Sequence, residues 1–399
     1  GGKPLRDTQA EVARAIDGVR AAIAAIRSGA GSVVPMGLTP ATDRRMAFTQ
    51  PEPVGVVVAI SAFNHPLNLI VHQVIPAVAA GCPVIVKPAP ETPLSCVALL
   101  EILHEAGLPP DWAQAIVTSD IALAEALATD ARVGFFSFIG SAKVGWALRA
   151  KLAPGTRCAL EHGGAAPVIV ASDVDVYEVR EALLKGCFYH AGQVCVSVQR
   201  FFAPAKVATR FATQLAMKAS GLVVGDPADE HTEVGPLIRP AELDRVHAWV
   251  REAVDGGGQL LTGGEKLTET LYAPTVIFDA PADCRLMTEE VFGPVVCVDP
   301  WFKAADALAR ANGLPTAFQA AVFTRDIERA MELAAGLDAS AVMINDHTAF
   351  RADWMPFAGL RQSGLGVGGI PHTIRDMQTE KMIVLRTDPL VVPPDAAPA

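Results

Sequence analysis

The sequence predicts an α/β fold made of two blocks, each a largely parallel sheet with helices on both faces. Three observations lead there. Short apolar runs rich in Val, Ile and Phe alternate with stretches of helical periodicity. Such runs are apolar throughout rather than at every second position, as strands buried on both faces must be. The alternation begins at Pro53 and resumes after Gly164, so it occurs twice and implies two domains with a cleft between them. Finally, 399 residues, 51% of them hydrophobic and 19% charged, supply the length and apolar content for large cores.

Ahead of the first block, 8–28 carries Val12, Ile16, Val19, Ile23 and Ile26 at helical spacing and reads as an amphipathic helix. A Gly/Pro-rich stretch, 29–40, leads to a short strand at 46–50. The first block then reads strand 54–60, helix 67–80, strand 84–86, helix 93–106, strand 115–118, helix 121–127, strand 133–138 and helix 141–151. The second reads strand 168–171, helix 176–189, strand 201–203, helices 207–219 and 240–256, and strands 294–298 and 320–323. The tail 381–386 is a β-rich segment able to pair with the Met46 strand as an arm. Residues 389–399 read as disordered.

Composition narrows the function. With 43 acidic and 33 basic residues the net charge is -10, against the basic face that nucleic-acid binding needs. The seven cysteines are odd in number and form no C-x-x-C pair, which points to reduced thiols in the cytoplasm, with no zinc site and no other metal. No apolar run is long and unbroken enough to span a membrane, since Pro76, Gly81 and Pro83 punctuate the best candidate. No signal peptide is evident. The chain opens at Gly1-Gly2-Lys3 without Met, as a fragment or a processed form would.

Several positions suit chemistry, each with a plainer reading beside it. Cys195 follows the turn residues Gly192-Gln193-Val194, and a thiol there is a nucleophile toward a carbonyl carbon once deprotonated; buried thiols are more often inert. Glu161, beside Gly163-Gly164, could activate water if burial raises its pKa, or be a solvated turn residue. Asn64 ends the 54–60 strand, where open α/β sheets place ligands; its amide could serve an oxyanion or merely cap the next helix. Lys87 follows a strand and suits phosphate or ribose, unless it is a surface Lys. Gly140-Ser141 through Gly145 joins a strand to a helix N-terminus, which accepts pyrophosphate. No G-x-G-x-x-G follows a strand in the first block, so an ordinary Rossmann fingerprint is absent.

Taken together and in order, these motifs resemble the aldehyde dehydrogenase superfamily. The match runs through Pro51-Glu-Pro-Val-Gly55, Phe63-Asn-His-Pro66, Gly81 to Ala89 with Thr92-Pro93, Phe138-Ile-Gly-Ser141 and Leu160-Glu-His-Gly-Gly164. It continues through Gly192-Gln-Val-Cys195, Glu289-Glu-Val-Phe-Gly-Pro294 and Met355-Pro-Phe-Ala-Gly359 with Ser363-Gly364. The resemblance implies a Rossmann-like cofactor domain (1–30 and 54–163), a catalytic domain (164–372) and an oligomerisation arm and tail (31–53 and 373–399). It also implies a homodimer or homotetramer.

The resemblance implies Cys195 as nucleophile, Glu161 as general base, and Asn64 with the Cys195 N–H as oxyanion hole. It implies a nicotinamide dinucleotide held by Lys87, Ser141, Gly140, Gly145, Glu290, Phe292, Ile60 and Ser61. An aldehyde is then oxidised through a cysteine thiohemiacetal and a thioester hydrolysed by Glu-activated water. Pro90 stands where many NAD-preferring members carry a Glu, so NADP is as plausible as NAD. The Gly-rich turn usual after the 115–117 strand is replaced by Thr118-Ser119-Asp120. His162, Ala165, His65 and Ala358 replace commoner residues. Members usually carry a further N-terminal segment, whose loss would put stability or activity in doubt.

The 345–355 segment resembles the lactaldehyde and semialdehyde branch. There Arg351 could meet an anionic substrate tail, or pair structurally with Asp353 or Asp346. His65 and His190 are the other tentative substrate residues. Two other readings are a CoA-acylating dehydrogenase, which needs no water-activating Glu161, and a non-catalytic scaffold that keeps the fold.

Overall fold

The computed structural model describes residues 1–386, so the expectation for 389–399 lies outside the described residues. Five parallel strands make the first sheet: Val56–Ile60, Val84–Lys87, Ala113–Ala115, Val133–Ile139 and Arg157–Glu161. The chain lays the first three side by side, then returns to the opposite flank of Val56–Ile60 for the last two. Ile60 and Phe138 therefore stand in register at the C-terminal ends of neighbouring strands. The crossovers leave in opposite directions from that point and open a crevice between them. Gly364–Leu365 closes one edge antiparallel, with Gly364 opposite Glu161.

The second sheet runs Gln259–Thr262, Thr275–Phe278, Val295–Trp301, Val198–Pro204, Ala166–Val170, Gln319–Phe323 and Ala341–Ile344, parallel except for its first pair. Every residue of Val198–Pro204 is buried, the polar Gln199 and Arg200 included, which hydrogen-bond to Leu286 O and Ala165 O. Its Phe201 and Phe202 sit at the centre of the largest core. The strands Thr275–Phe278 and Ala341–Ile344 and the helices Ala304–Asn312 and Ile327–Gly336 complete this block beyond what the sequence pattern predicts.

Local competition shifts some boundaries. The strand expected at 115–118 ends at Ala115. Beyond it Asp120 accepts from Ala122 N at 2.8 Å to cap the Ile121–Thr129 helix, and Thr118 accepts from Asp120 N at 3.0 Å. Arg45–Pro53 and Gln378–Arg386 pair antiparallel along their whole length, Lys381 opposite Gln50, as the arm expectation requires.

The first helix, Leu5–Ser28, departs from the ordinary amphipathic arrangement. Its apolar residues Val12, Ile16, Ile23 and Ile26 are exposed, while Glu11, Ala15, Gly18 and Ala22 are buried. The reason is close packing on the Asn68–Ala80 helix: a Cβ on Gly18 would lie only 3.1 Å from Val71. The polar face has its own partners. Glu11 Oε1 accepts from Leu67 N (2.8 Å) and Asn68 N (2.9 Å), satisfying donors that open the second helix. Lys3 pairs with Glu11 in the same buried corner.

Among the described residues no helix is long and apolar enough to cross a membrane. Phe201→Ala should cost about 3–5 kcal/mol, because the site cannot collapse onto the lost ring. A denaturant midpoint within error of the parent would contradict the central placement of this strand.

Candidate active site

The C-terminal ends of the first sheet and the loop ahead of Val198–Pro204 enclose a cavity of about 500 Å³. Ten sequence-selected residues line it: Cys195, Glu161, Asn64, Lys87, Ser141, Gly140, Glu290, Phe292, Ile60 and Ser61. Arg351, His65 and Pro90 line it as well. The strand ends bring residues far apart in sequence to one wall, which spacing alone cannot show.

Two selected residues do not line the cavity. Gly145 lies one turn inside the Ala142–Arg149 helix, and a Cβ there would stand 2.1 Å from the His162 ring; its role is close packing of helix on strand. His190 is buried behind the loop that carries Cys195, with its ring 6.1 Å from that of His65 and its backbone N–H donating to Asp7 at 3.3 Å.

The loop that carries Cys195 has a constrained approach. His190, Ala191 and Gly192 all take left-handed φ, at 48°, 55° and 69°. At Gly192 a side chain is also excluded sterically, since a Cβ would lie 2.1 Å from the Gly293 carbonyl oxygen. Gln193 locks the turn: its Oε1 accepts from Ile238 N at 2.9 Å and its Nε2 donates to Pro236 O at 3.2 Å. Asn64 Nδ2 donates to Gln193 O at 2.9 Å, tying the end of the first sheet's first strand to this loop. An amide nitrogen carries two hydrogens, so Asn64 keeps a second donor.

Electrostatics in the cavity are governed by desolvation. Burial pushes the Cys195 thiol up to about 12, and the carboxylates of Glu290 and Glu161 push in the same direction, opposed by Arg351. Burial likewise raises Glu161, with the Arg351 charge pulling it back. Glu290 is raised to about 8, chiefly by burial, so it is predominantly protonated at neutral pH in this arrangement. Its Oε1 is buried without a hydrogen-bond partner.

The crevice between the strand ends has the makings of a nucleotide site. Ser141 is the N-cap of the Ala142–Arg149 helix, and its side chain makes no capping bond. Among the described residues Lys87 Nζ donates to Pro88 O alone, at 3.3 Å, and Ser61 Oγ is buried without a partner. Burial lowers the Lys87 pKa, with Glu91 opposing. Gly140 is fixed on two sides, its N donating to Glu161 O at 3.1 Å and its O accepting from His162 Nδ1 at 2.8 Å.

At the other end of the cavity, Arg351 lies over the Phe357 ring, 3.6 Å from its centroid. Among the described residues no ion pair joins it to Asp353 or Asp346. Asp353 is taken by other groups: Arg14 donates to both its oxygens (2.7 and 3.2 Å), Asn68 at 3.0 Å and His72 Nε2 at 2.7 Å. Burial opposes ionisation of Asp353, but these donors outweigh it and hold its carboxyl well below the ordinary range.

With this geometry in place, comparison with known proteins is decisive. The model of the aldehyde dehydrogenase family matches residues 1–383. The chain belongs to the aldehyde dehydrogenase family. Its activity is the NAD(P)-dependent oxidation of an aldehyde to the carboxylic acid. A 3-sulfolactaldehyde dehydrogenase of Priestia aryabhattai is 37% identical over 96% of this chain and 80% of its own. The structure of an aldehyde dehydrogenase from Physcomitrella patens, in complex with the reaction product succinate, superposes with a TM-score of 0.93 at 33% identity, over 97% of this chain and 80% of that one. A glyceraldehyde-3-phosphate dehydrogenase of Methanocaldococcus jannaschii complexed with NADP gives 0.91 at 34% identity, over 96% of this chain and 83% of that one.

Sequence reading misses several residues of this aldehyde dehydrogenase's cavity, notably Arg14, His72, Tyr189 and Arg245. One signal was available for Arg14. Lys3, Asp7, Glu11 and Arg14 recur at helical spacing, and a charged stripe opposite an apolar one is informative once the burial direction is known. His72 carries no such signal, being one of three polar residues, with Asn68 and Gln73, in an otherwise apolar helix.

The raised Glu290 pKa has a stability consequence. Folding lifts it from 4.5 to about 8, so its contribution is fully present below 4.5 and lost as pH rises through about 8. Glu290→Gln should therefore gain thermal stability relative to the parent apoprotein as pH rises from 4.5 to about 8, the difference levelling off above that. A pH-independent difference would contradict a buried Glu290.

Proposed function

We propose that Cys195 is the nucleophile of this dehydrogenase, Glu161 the base for the water that releases product, and Asn64 with the Cys195 N–H the oxyanion hole. The observation that carries this reading is the enclosure of Cys195, Glu161, Asn64 and Arg351 in one desolvated cavity at the mouth of the crevice. The Cys195 sulfur adds to the aldehyde carbon, and the second Nδ2 hydrogen of Asn64 meets the developing oxyanion. A nicotinamide bound in the crevice supplies the hydride acceptor. Glu161, whose basicity is increased by burial, takes a proton from water, which then attacks the thioester on Cys195. A buried carboxylate poised for water favours hydrolysis over passage of the acyl group to CoA, and a scaffold needs none of these three groups.

The unfilled polar atoms fit a dinucleotide. Lys87 would meet the adenosine ribose, Ser141 and Gly140 at the helix N-terminus the pyrophosphate, and Glu290 the nicotinamide ribose, with Phe292, Ile60 and Ser61 packing around it. Phe292 is itself held edge-on by Phe63 at 5.9 Å. Pro90 lines this end without a carboxylate to repel a 2′-phosphate, which supports NADP as well as NAD.

The aldehyde is one with an anionic tail. Arg351 faces the cavity with no carboxylate ion pair among the described residues; one relative is named for sulfolactaldehyde, one for glyceraldehyde 3-phosphate and one holds succinate as its reaction product, beside others named for lactaldehyde. His65 and Tyr189, 3.3 Å apart, flank the same space. Residues 1–30 and 54–163 form the cofactor-binding domain and 164–372 the catalytic domain bearing Cys195, with Asn64 and Glu161 reaching the reaction from the first and Glu290 and Phe292 reaching the cofactor from the second. The arm of 31–53 and 373–386 mediates a homodimer or homotetramer through its open strand edges. The absence of any disulfide among the seven cysteines accords with a cytoplasmic setting.

Glu161→Gln should give a stoichiometric burst of reduced cofactor followed by turnover slowed at least about a hundredfold, the usual scale for losing a general base. Rapid mixing followed at the nicotinamide absorbance measures this for NAD and NADP in turn. Undiminished steady-state turnover would remove Glu161 from the mechanism, and turnover restored only by CoA would replace hydrolysis with acyl transfer.

A further inference from the structure

His72 sits on the Asn68–Ala80 helix with both ring nitrogens engaged by different charged groups. Its Nε2 lies 2.7 Å from Asp353 Oδ1, and its Nδ1 lies 3.3 Å from Arg351 Nη2. A guanidinium has no lone pair to offer, so the Arg351 contact is a hydrogen bond only when Nδ1 bears none of the hydrogens. The carboxylate of Asp353 in turn accepts the single ring hydrogen at Nε2. The two neighbours thus specify one neutral tautomer. Burial and the Arg351 charge keep the ring neutral, lowering its pKa to about 4 against the pull of Asp353.

The position of Arg351 depends on this. Its Nε is buried without a partner, and its guanidinium rests on the Phe357 ring, an attractive but sliding surface. The His72 Nδ1 bond is the directional contact that sets where the fork points. Asp353 is engaged by Arg14, Asn68 and His72, and among the described residues it makes no ion pair with Arg351. Its charge is balanced chiefly at Arg14, and Arg351 faces the cavity over Phe357 without a carboxylate ion pair of its own among the described residues.

We propose that His72, fixed in one tautomer by Asp353, is a positioning residue that aims Arg351 at the anionic tail of the aldehyde. This rests on the reading of Arg351 as the tail-binding group and extends it to the groups that orient it. A long guanidinium side chain needs such support, because an unrestrained one loses much of its binding advantage to rotamer entropy.

The test compares a carboxylate-tailed aldehyde with a neutral aldehyde of similar length, using the full chain with saturating cofactor. His72→Leu should raise KM for the anionic aldehyde roughly tenfold and KM for the neutral one by no more than about twofold, the scale of one lost hydrogen bond to a charged group, whatever change in kcat the two aldehydes share. His72→Gln should restore most of the loss, since its amide offers a donor nitrogen and an acceptor oxygen spaced like the ring nitrogens. If the Leu variant does not fold, His72→Asn, too short to reach both partners, replaces it. Equal losses on both aldehydes in a folded variant, or no rescue by Gln, would overturn the positioning role. Arg351→Ala separates the two claims. If it too affects both aldehydes equally, the tail reading fails and takes this proposal with it. A selective Arg351→Ala beside a non-selective His72→Leu overturns the positioning role alone.

Discussion

Desolvation of one cavity organises this protein's chemistry. Cys195, Glu161, Glu290 and Arg351 are taken out of water together, and each then feels the others through a medium that screens poorly. Burial alone raises the thiol and both carboxyls above their ordinary ranges. The Arg351 cation offsets part of that for Cys195 and Glu161, which links the group proposed to hold the substrate tail with the groups proposed to act on the carbonyl.

The fold supplies the cavity through a reversal of strand order. Between Val56–Ile60 and Val133–Ile139 the crossovers part, and the strand ends deliver Ser61, Asn64, Gly140 and Ser141 to a single crevice. The second block contributes the nucleophile loop, whose left-handed turn is held by Gln193 and by contacts with Asn64 and Asp7. The Leu5–Ser28 helix braces both halves. Its Glu11 caps the helix that follows Asn64, its Asp7 meets the turn before Cys195, and its Arg14 binds Asp353. The charged side of this helix is inward because those backbone groups and that carboxylate need partners.

Much of this was legible in the sequence, for identifiable reasons. Apolar, largely β-branched runs such as Val56–Ile60 and 84–86 announce parallel strands, and ordered motifs around Asn64, Glu161 and Cys195 announce the family. What stayed hidden depends on tertiary direction. The stripe of Val12, Ile16, Ile23 and Ile26 suggests a packed face, yet Gly18 and Ala22 are what the neighbouring helix accepts. Gly145 looks like a phosphate-loop glycine and is instead a close-packing site under His162. His190 sits beside the nucleophile in sequence and behind it in space. Arg14 and His72 reach the cavity only because Asp353, some 280 or more residues away, gathers them.

The most direct test of the account is to locate the acyl group. The native protein, mixed with aldehyde and oxidised cofactor and quenched in acid within the first turnover, should carry the acyl mass on the peptide containing Cys195 and on none of the peptides bearing the other six cysteines. Reduced cofactor formed with no acylated Cys195, or with the acyl group on another residue, would contradict covalent catalysis at this site.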